Sequence, residues 1–149
     1  AGRGLGGGCF DWLHDSSGLV VVTKTNGLQR LSLNCELRPL LALDGRSISG
    51  PAVSPDGSTV AVVIDQAEIM VVNLASGSAR RVDDGSYEFV LDPAWSQGAP
   101  VWQAWNSPNM PWDHSAIMSV NGVVSDNYCQ HQQPCTDAQG KQLAWLDDL

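Results

Sequence analysis

The sequence predicts an all-β fold, a partial β-propeller of about three and a half four-stranded antiparallel blades that this chain does not close into a ring by itself. Three observations predict it. Turn glycines Gly18, Gly57, Gly98 and Gly140 recur at intervals of 39, 41 and 42 residues, the ~40–45 residue period of a propeller blade. Each glycine ends a short polar turn that leads into a run of β-formers. Helical periodicity is nearly absent along the whole chain.

The elements follow in order. Phe10–Gly18 introduces a strand at Leu19–Thr23, and Thr25-Asn26-Gly27 then joins it to Leu28–Leu33. The Asn-Gly pair suits a type I′ hairpin, which needs positive φ at both central residues. Ser54-Pro55-Asp56-Gly57 is a turn with a mechanism, proline presetting φ and glycine supplying φ > 0. It separates strands at Ala52–Ser54 and Val60–Ile64. Asp65-Gln66-Ala67 then reads as a hairpin into Ile69–Leu74, followed by an outer, more polar strand at Ala79–Val82. Asp92–Gly98 repeats the turn before Val101–Trp105, and Thr136–Gly140 before Leu143–Leu146. Blades are therefore expected at 10–50, 51–91 and 92–133, with an incomplete unit at 134–149. Trp12, Val53 and Trp95 share one repeat position and are expected between blades. Trp102 and Trp105, three apart on one strand, should face opposite sides, with at least one of them buried.

Closed propellers carry 4–8 blades. The residues before Phe10 are mostly glycine and cannot supply the strands that the fourth unit lacks. A longer parent chain or a second copy of this one is expected to cover the open edges, because exposed strand edges invite pairing. The chain starts at Ala1 instead of methionine, and is therefore expected to be processed, excised or incomplete at its start.

Composition narrows the function classes. The net charge is −8, with eight Lys and Arg against 16 Asp and Glu. The basic residues are scattered, and Arg80-Arg81, their one adjacent pair, is followed at once by Asp83-Asp84. Nucleic-acid binding, which needs clustered cations, is not expected. No apolar run approaches the ~20 residues of a membrane-spanning helix. No membrane partner and no cofactor are expected.

Among the four cysteines, Cys129, Cys135 and the intervening His131 are zinc-compatible residue types, with Cys9, His114 or Asp137 as a fourth ligand. Their spacing is not diagnostic, and the sequence contains no C-x-x-C. A Cys129–Cys135 disulfide would suit an exported protein. Free thiols are the default, which leans towards the cytoplasm without fixing the compartment. Ser47, Ser49, His14, His114 and Asp113 could be assembled on paper into a triad, but nothing in the sequence places them together. No catalytic residue is expected here.

The richest functional candidate is the stretch 106–113. Two prolines stiffen it, Met110 and Trp112 offer apolar contact surface, and Asn106, Asn109 and Asp113 offer polar groups. The alternative is that Trp112 packs on its own blade and the loop is structural.

Ser54-Pro55-Asp56-Gly57, with Asp92-Pro93-Ala94-Trp95-Ser96 one blade later, resembles the repeat of TolB-like propellers. The run Pro108-Asn109-Met110-Pro111-Trp112-Asp113 resembles a loop in the propellers of the prolyl oligopeptidase family of serine peptidases, in its acylaminoacyl-peptidase and dipeptidyl-aminopeptidase-like branch. Ser107 and His114, on either side, depart from the His and Gly of that pattern. The resemblance implies a non-catalytic propeller that gates peptide access to a C-terminal α/β-hydrolase domain of the same parent chain. The serine, aspartate and histidine of the triad would lie in that domain. Loop 106–113 would then gate peptide substrate or dock the hydrolase domain. The alternative is a TolB-like propeller acting as a protein-interaction module without enzymatic activity.

Overall fold

A computed structural model describes residues 8–125, 130–136, 139 and 141–148. The first blade contains β1 (Phe10–Trp12), β2 (Gly18–Thr23), β3 (Gly27–Ser32) and β4 (Leu37–Leu41), and the second contains β5 (Ile48–Val53), β6 (Thr59–Ile64), β7 (Glu68–Asn73) and β8 (Ala79–Arg81). The third is β9 (Phe89–Ser96), β10 (Ala99–Trp105), β11 (Ala116–Ser119) and β12 (Gly122–Ser125). Each is an antiparallel meander in sequence order, and a two-stranded unit follows, β13 (Gln130–Thr136) paired with β14 (Leu143–Asp148). The four-stranded antiparallel sheets and the unclosed arrangement are those of a partial propeller.

The core lies between blades. Val60, Val62 and Ile64 on one face of β6 pack with Val20 and Leu28 of the first blade. Val63, on the opposite face, packs with Val90, Trp102 and Trp105 of the third. A strand covered on both faces has no reason to alternate, so Val60–Ile64 is apolar at every position. For the same reason Trp102 and Trp105 are both buried. The second blade packs against β10, and β13 also lies against it. The inner strands β1, β5, β9 and β13 are successive neighbours.

Several local expectations change. The inner strands start earlier than the turn residues suggest, at Ile48 and Phe89. Gly50 (φ 55°) and Asp92 (φ 49°) sit inside them at register shifts, so the chain passes through an apparent breaker as a β-bulge. In the β2–β3 hairpin only Gly27 has positive φ, and three residues separate the paired Thr23 and Gly27, so the expected I′ turn is not formed. The I′ signature of two positive φ values appears at Asp65-Gln66 and at Gln97-Gly98. Gly18 is required for space: a Cβ there would run into the Leu31 carbonyl oxygen across the ladder. The third blade is completed by an outer strand, Gly122–Ser125.

Trp12 is the main departure. Expected in an inter-blade core, it is 54% exposed, whereas Val53 and Trp95 at the same repeat position are buried. Those two pack back onto the blade before their own, and no blade precedes β1 among the described residues.

Candidate functional site

The loop between β10 and β11 is built by two consecutive tight turns. Asn109 N–H donates to the Asn106 carbonyl (3.0 Å), and Asp113 N–H donates to the Met110 carbonyl (2.9 Å). Pro111 takes the second position of the latter turn, where its fixed φ is already suitable. The Asp113 carboxylate accepts from the Met110 N–H (3.2 Å), closing that turn from the other side.

Two anchors hold the loop to the sheet. At its start, Glu88 and Asn106 bond reciprocally. Glu88 N–H donates to Asn106 Oδ1 (2.7 Å), while Glu88 Oε2 accepts from the Ser107 N–H (2.8 Å). At its end, the buried Gln103 amide donates to the Pro111 carbonyl (3.2 Å) and to Ser115 Oγ (2.9 Å). The loop is thus fixed at both ends, and its apolar side chains have a defined place.

They enclose a pocket of about 230 Å³ on the rim. Phe89 and Trp105, a cross-strand pair, form its aromatic floor, stacked with ring centroids 5.4 Å apart and planes 16° apart. Pro108, Met110 and Pro111 form one wall. Gln66, in the β6–β7 turn of the second blade, stands opposite, and its carbonyl accepts from the Val90 N–H (2.8 Å). The pocket therefore bridges two blades and is mostly apolar, with Ser107, Asn109 and Gln66 as its polar groups.

The expected site residues separate. Asn109 and Met110 line the pocket, and Asn106 and Asp113 brace the loop. Trp112 does not line it; its side chain is 49% exposed. The sequence does not mark Phe89, Glu88, Gln66 or Gln103 as site residues. Phe89 and Glu88 sit beside the loop only because β9 starts three residues before Asp92, and no local signal marks Gln103.

The Ser47 hydroxyl and N–H both donate to Asp65 Oδ1, so this serine is committed to the turn that Asp65 starts. Among the described residues no three His, Cys, Asp or Glu come together as a metal site. Cys129 and the side chain of His131 fall outside the described residues, while Cys9, Cys35 and Cys135 are exposed free thiols.

No protein-family model matches the sequence, and no curated protein sequence matches it. Solved structures do match. TolB from Acinetobacter baumannii aligns with a TM-score of 0.64 at 15% identity, over 85% of this chain and 34% of that one. The chain folds as part of a β-propeller. Puromycin hydrolase aligns at 0.66 and 19% identity, over 87% of this chain and 25% of its own. The tricorn protease aligns at 0.66 and 17% identity, over 89% and 14%. The chain thus spans well under half the length of each of these proteins.

Proposed function

We propose that this chain is the non-catalytic propeller segment of a prolyl-oligopeptidase-like serine peptidase, gating peptide access to a hydrolase domain elsewhere in its parent chain. The observation that carries the proposal is the 108–113 run, which is held rigidly on the rim beside an apolar pocket. A rim loop fixed at both ends can touch a passing peptide or a docked domain without paying ordering entropy at each encounter. The fold likeness to puromycin hydrolase and to the tricorn protease, both named as hydrolytic enzymes, supports the same reading.

On this reading the exposed face of the first blade, with Phe10 and Trp12 on it, is covered by further blades of the parent chain. A second copy is the alternative cover. The test is peptide hydrolysis by the full natural chain, combined with labelling by a fluorophosphonate that captures an activated serine. Labelled serine and hydrolysis that changes in a Trp112→Ala variant would support the gate. A chain that neither labels nor hydrolyses peptides, yet retains a specific protein partner, would make this propeller an interaction module like the TolB alternative.

A further inference from the structure

We infer that the rim pocket binds one aromatic side chain of a peptide whose neighbouring residues are cationic, an inference that deepens the peptide-gating reading and rests on it. Size comes first. An apolar cavity of about 150 Å³ holds a benzene ring, so a pocket of about 230 Å³ has room for a phenyl or phenol group on its backbone stem. Surface chemistry agrees. The stacked Phe89 and Trp105 rings present π-surface, prolines add flat apolar walls, and the flexible thioether of Met110 adapts to the inserted ring.

Charge selects the neighbours of that ring. From Val82 to Gly140 the sequence contains no lysine or arginine at all, while Asp83, Asp84, Glu88, Asp92 and Asp113 all fall within this stretch. Glu88 and Asp113 brace the two ends of the pocket loop, each through one carboxylate oxygen that accepts a backbone N–H. Both residues are exposed, and neither forms an ion pair among the described residues, where Arg46 and Arg81 serve Asp65, Glu68 and Asp83 instead. Two uncompensated carboxylates beside an aromatic pocket favour a ligand that carries positive charge on either side of its ring. The aromatic floor adds cation–π attraction for the same charges.

The test titrates three short capped peptides into the full natural chain by calorimetry: acetyl-Lys-Phe-Lys-amide, acetyl-Glu-Phe-Glu-amide and acetyl-Lys-Ala-Lys-amide. The first should bind, the second about tenfold more weakly or worse, and the third not detectably. Added salt should weaken only the first. The double variant Glu88→Gln, Asp113→Asn keeps both backbone acceptors, so it should fold normally and bind the two phenylalanine peptides alike. Phe89→Leu, which deletes half the stacked floor, should lose both. Equal binding of the lysine–phenylalanine and lysine–alanine peptides overturns the aromatic pocket, and no binding of any peptide does the same. A charge preference that survives in the double variant overturns the role of the two carboxylates. Binding is read without hydrolysis, so a chain that binds as expected but carries no reactive serine leaves the pocket standing and removes the peptidase reading alone.

Discussion

Trp95 Nε1–H donates to the carbonyl of Ala52, 2.8 Å away and 43 residues earlier, tying the third blade to the second. The indole covers Ala61 and Val71 of the second blade. One side chain thus combines a large apolar contact with a polar tether between sheets that share no ladder. The same repeat position in the first blade holds Trp12, which stands in solvent.

That contrast predicts opposite mutational outcomes for two tryptophans in one sequence context. Trp95→Ala should destabilise the chain by about 3–5 kcal/mol through the cavity it opens. Trp95→Phe keeps a ring and loses the donor, and should cost about 1–2 kcal/mol. Trp12→Ala in the 149-residue chain should stay within about 0.5 kcal/mol. Urea unfolding curves for the three variants check this ordering, and a Trp12 loss as large as that of Trp95→Ala would contradict the exposed placement.

The repeat was legible because blade turns need residues of special conformation. Ser54-Pro55-Asp56-Gly57 and Gln97-Gly98 announce their turns, and their glycines do take positive φ. Strand starts were less legible, since Gly50 and Asp92 read as breakers while the structure uses them as bulges within β5 and β9. The loop was visible in its prolines and apolar residues. The pocket was not, because Phe89 and Gln66 reach it from other strands and from another blade. Trp12 is exposed for a physical reason. A repeat position specifies which way a side chain points, but burial requires a neighbouring blade.

The Ser54–Ser58 turn predicts a pH dependence. Hydrogen bonds from the Ser54 hydroxyl, then from the Ser58 N–H and hydroxyl, hold the Asp56 carboxyl below its ordinary value of 3.8. A depressed folded-state pKa means that the unfolded chain takes up the proton first as pH falls. The contribution of Asp56 is therefore complete above its ordinary value and fades as pH drops through the lower folded value. Asp56→Asn should lower stability near neutral pH, and its difference from the parent should shrink below about pH 4. Stability measured by urea unfolding across that range checks the sign, and a difference that grows with acid would refute it.

Gln103 predicts a link between the core and the loop. Its amide is buried, and in Gln103→Leu the Pro111 carbonyl and Ser115 Oγ each lose a donor. The cost should be about 1–3 kcal/mol. Its signature should be local, with faster hydrogen exchange at the Asp113 and Asn109 amides, which close the two loop turns. Amides of β6 and β7 should keep their protection. Uniformly faster exchange across all three blades would show that Gln103 supports the whole fold and not the loop in particular.

Trp105 and Trp112, seven residues apart, should separate stability from recognition. Trp105 is buried, stacks on Phe89 and belongs to the core between the second and third blades. Replacing it with alanine should cost about 3–5 kcal/mol and remove the pocket floor with it. Trp112 is half exposed and does not line the pocket, so Trp112→Ala should change the urea midpoint little. If the loop contacts a peptide or a hydrolase domain, that variant should instead alter hydrolysis by the full natural chain at unchanged stability. A lowered midpoint with unaltered kinetics would assign Trp112 to its own blade, and the recognition surface would then reduce to the pocket formed by Phe89, Trp105 and Met110.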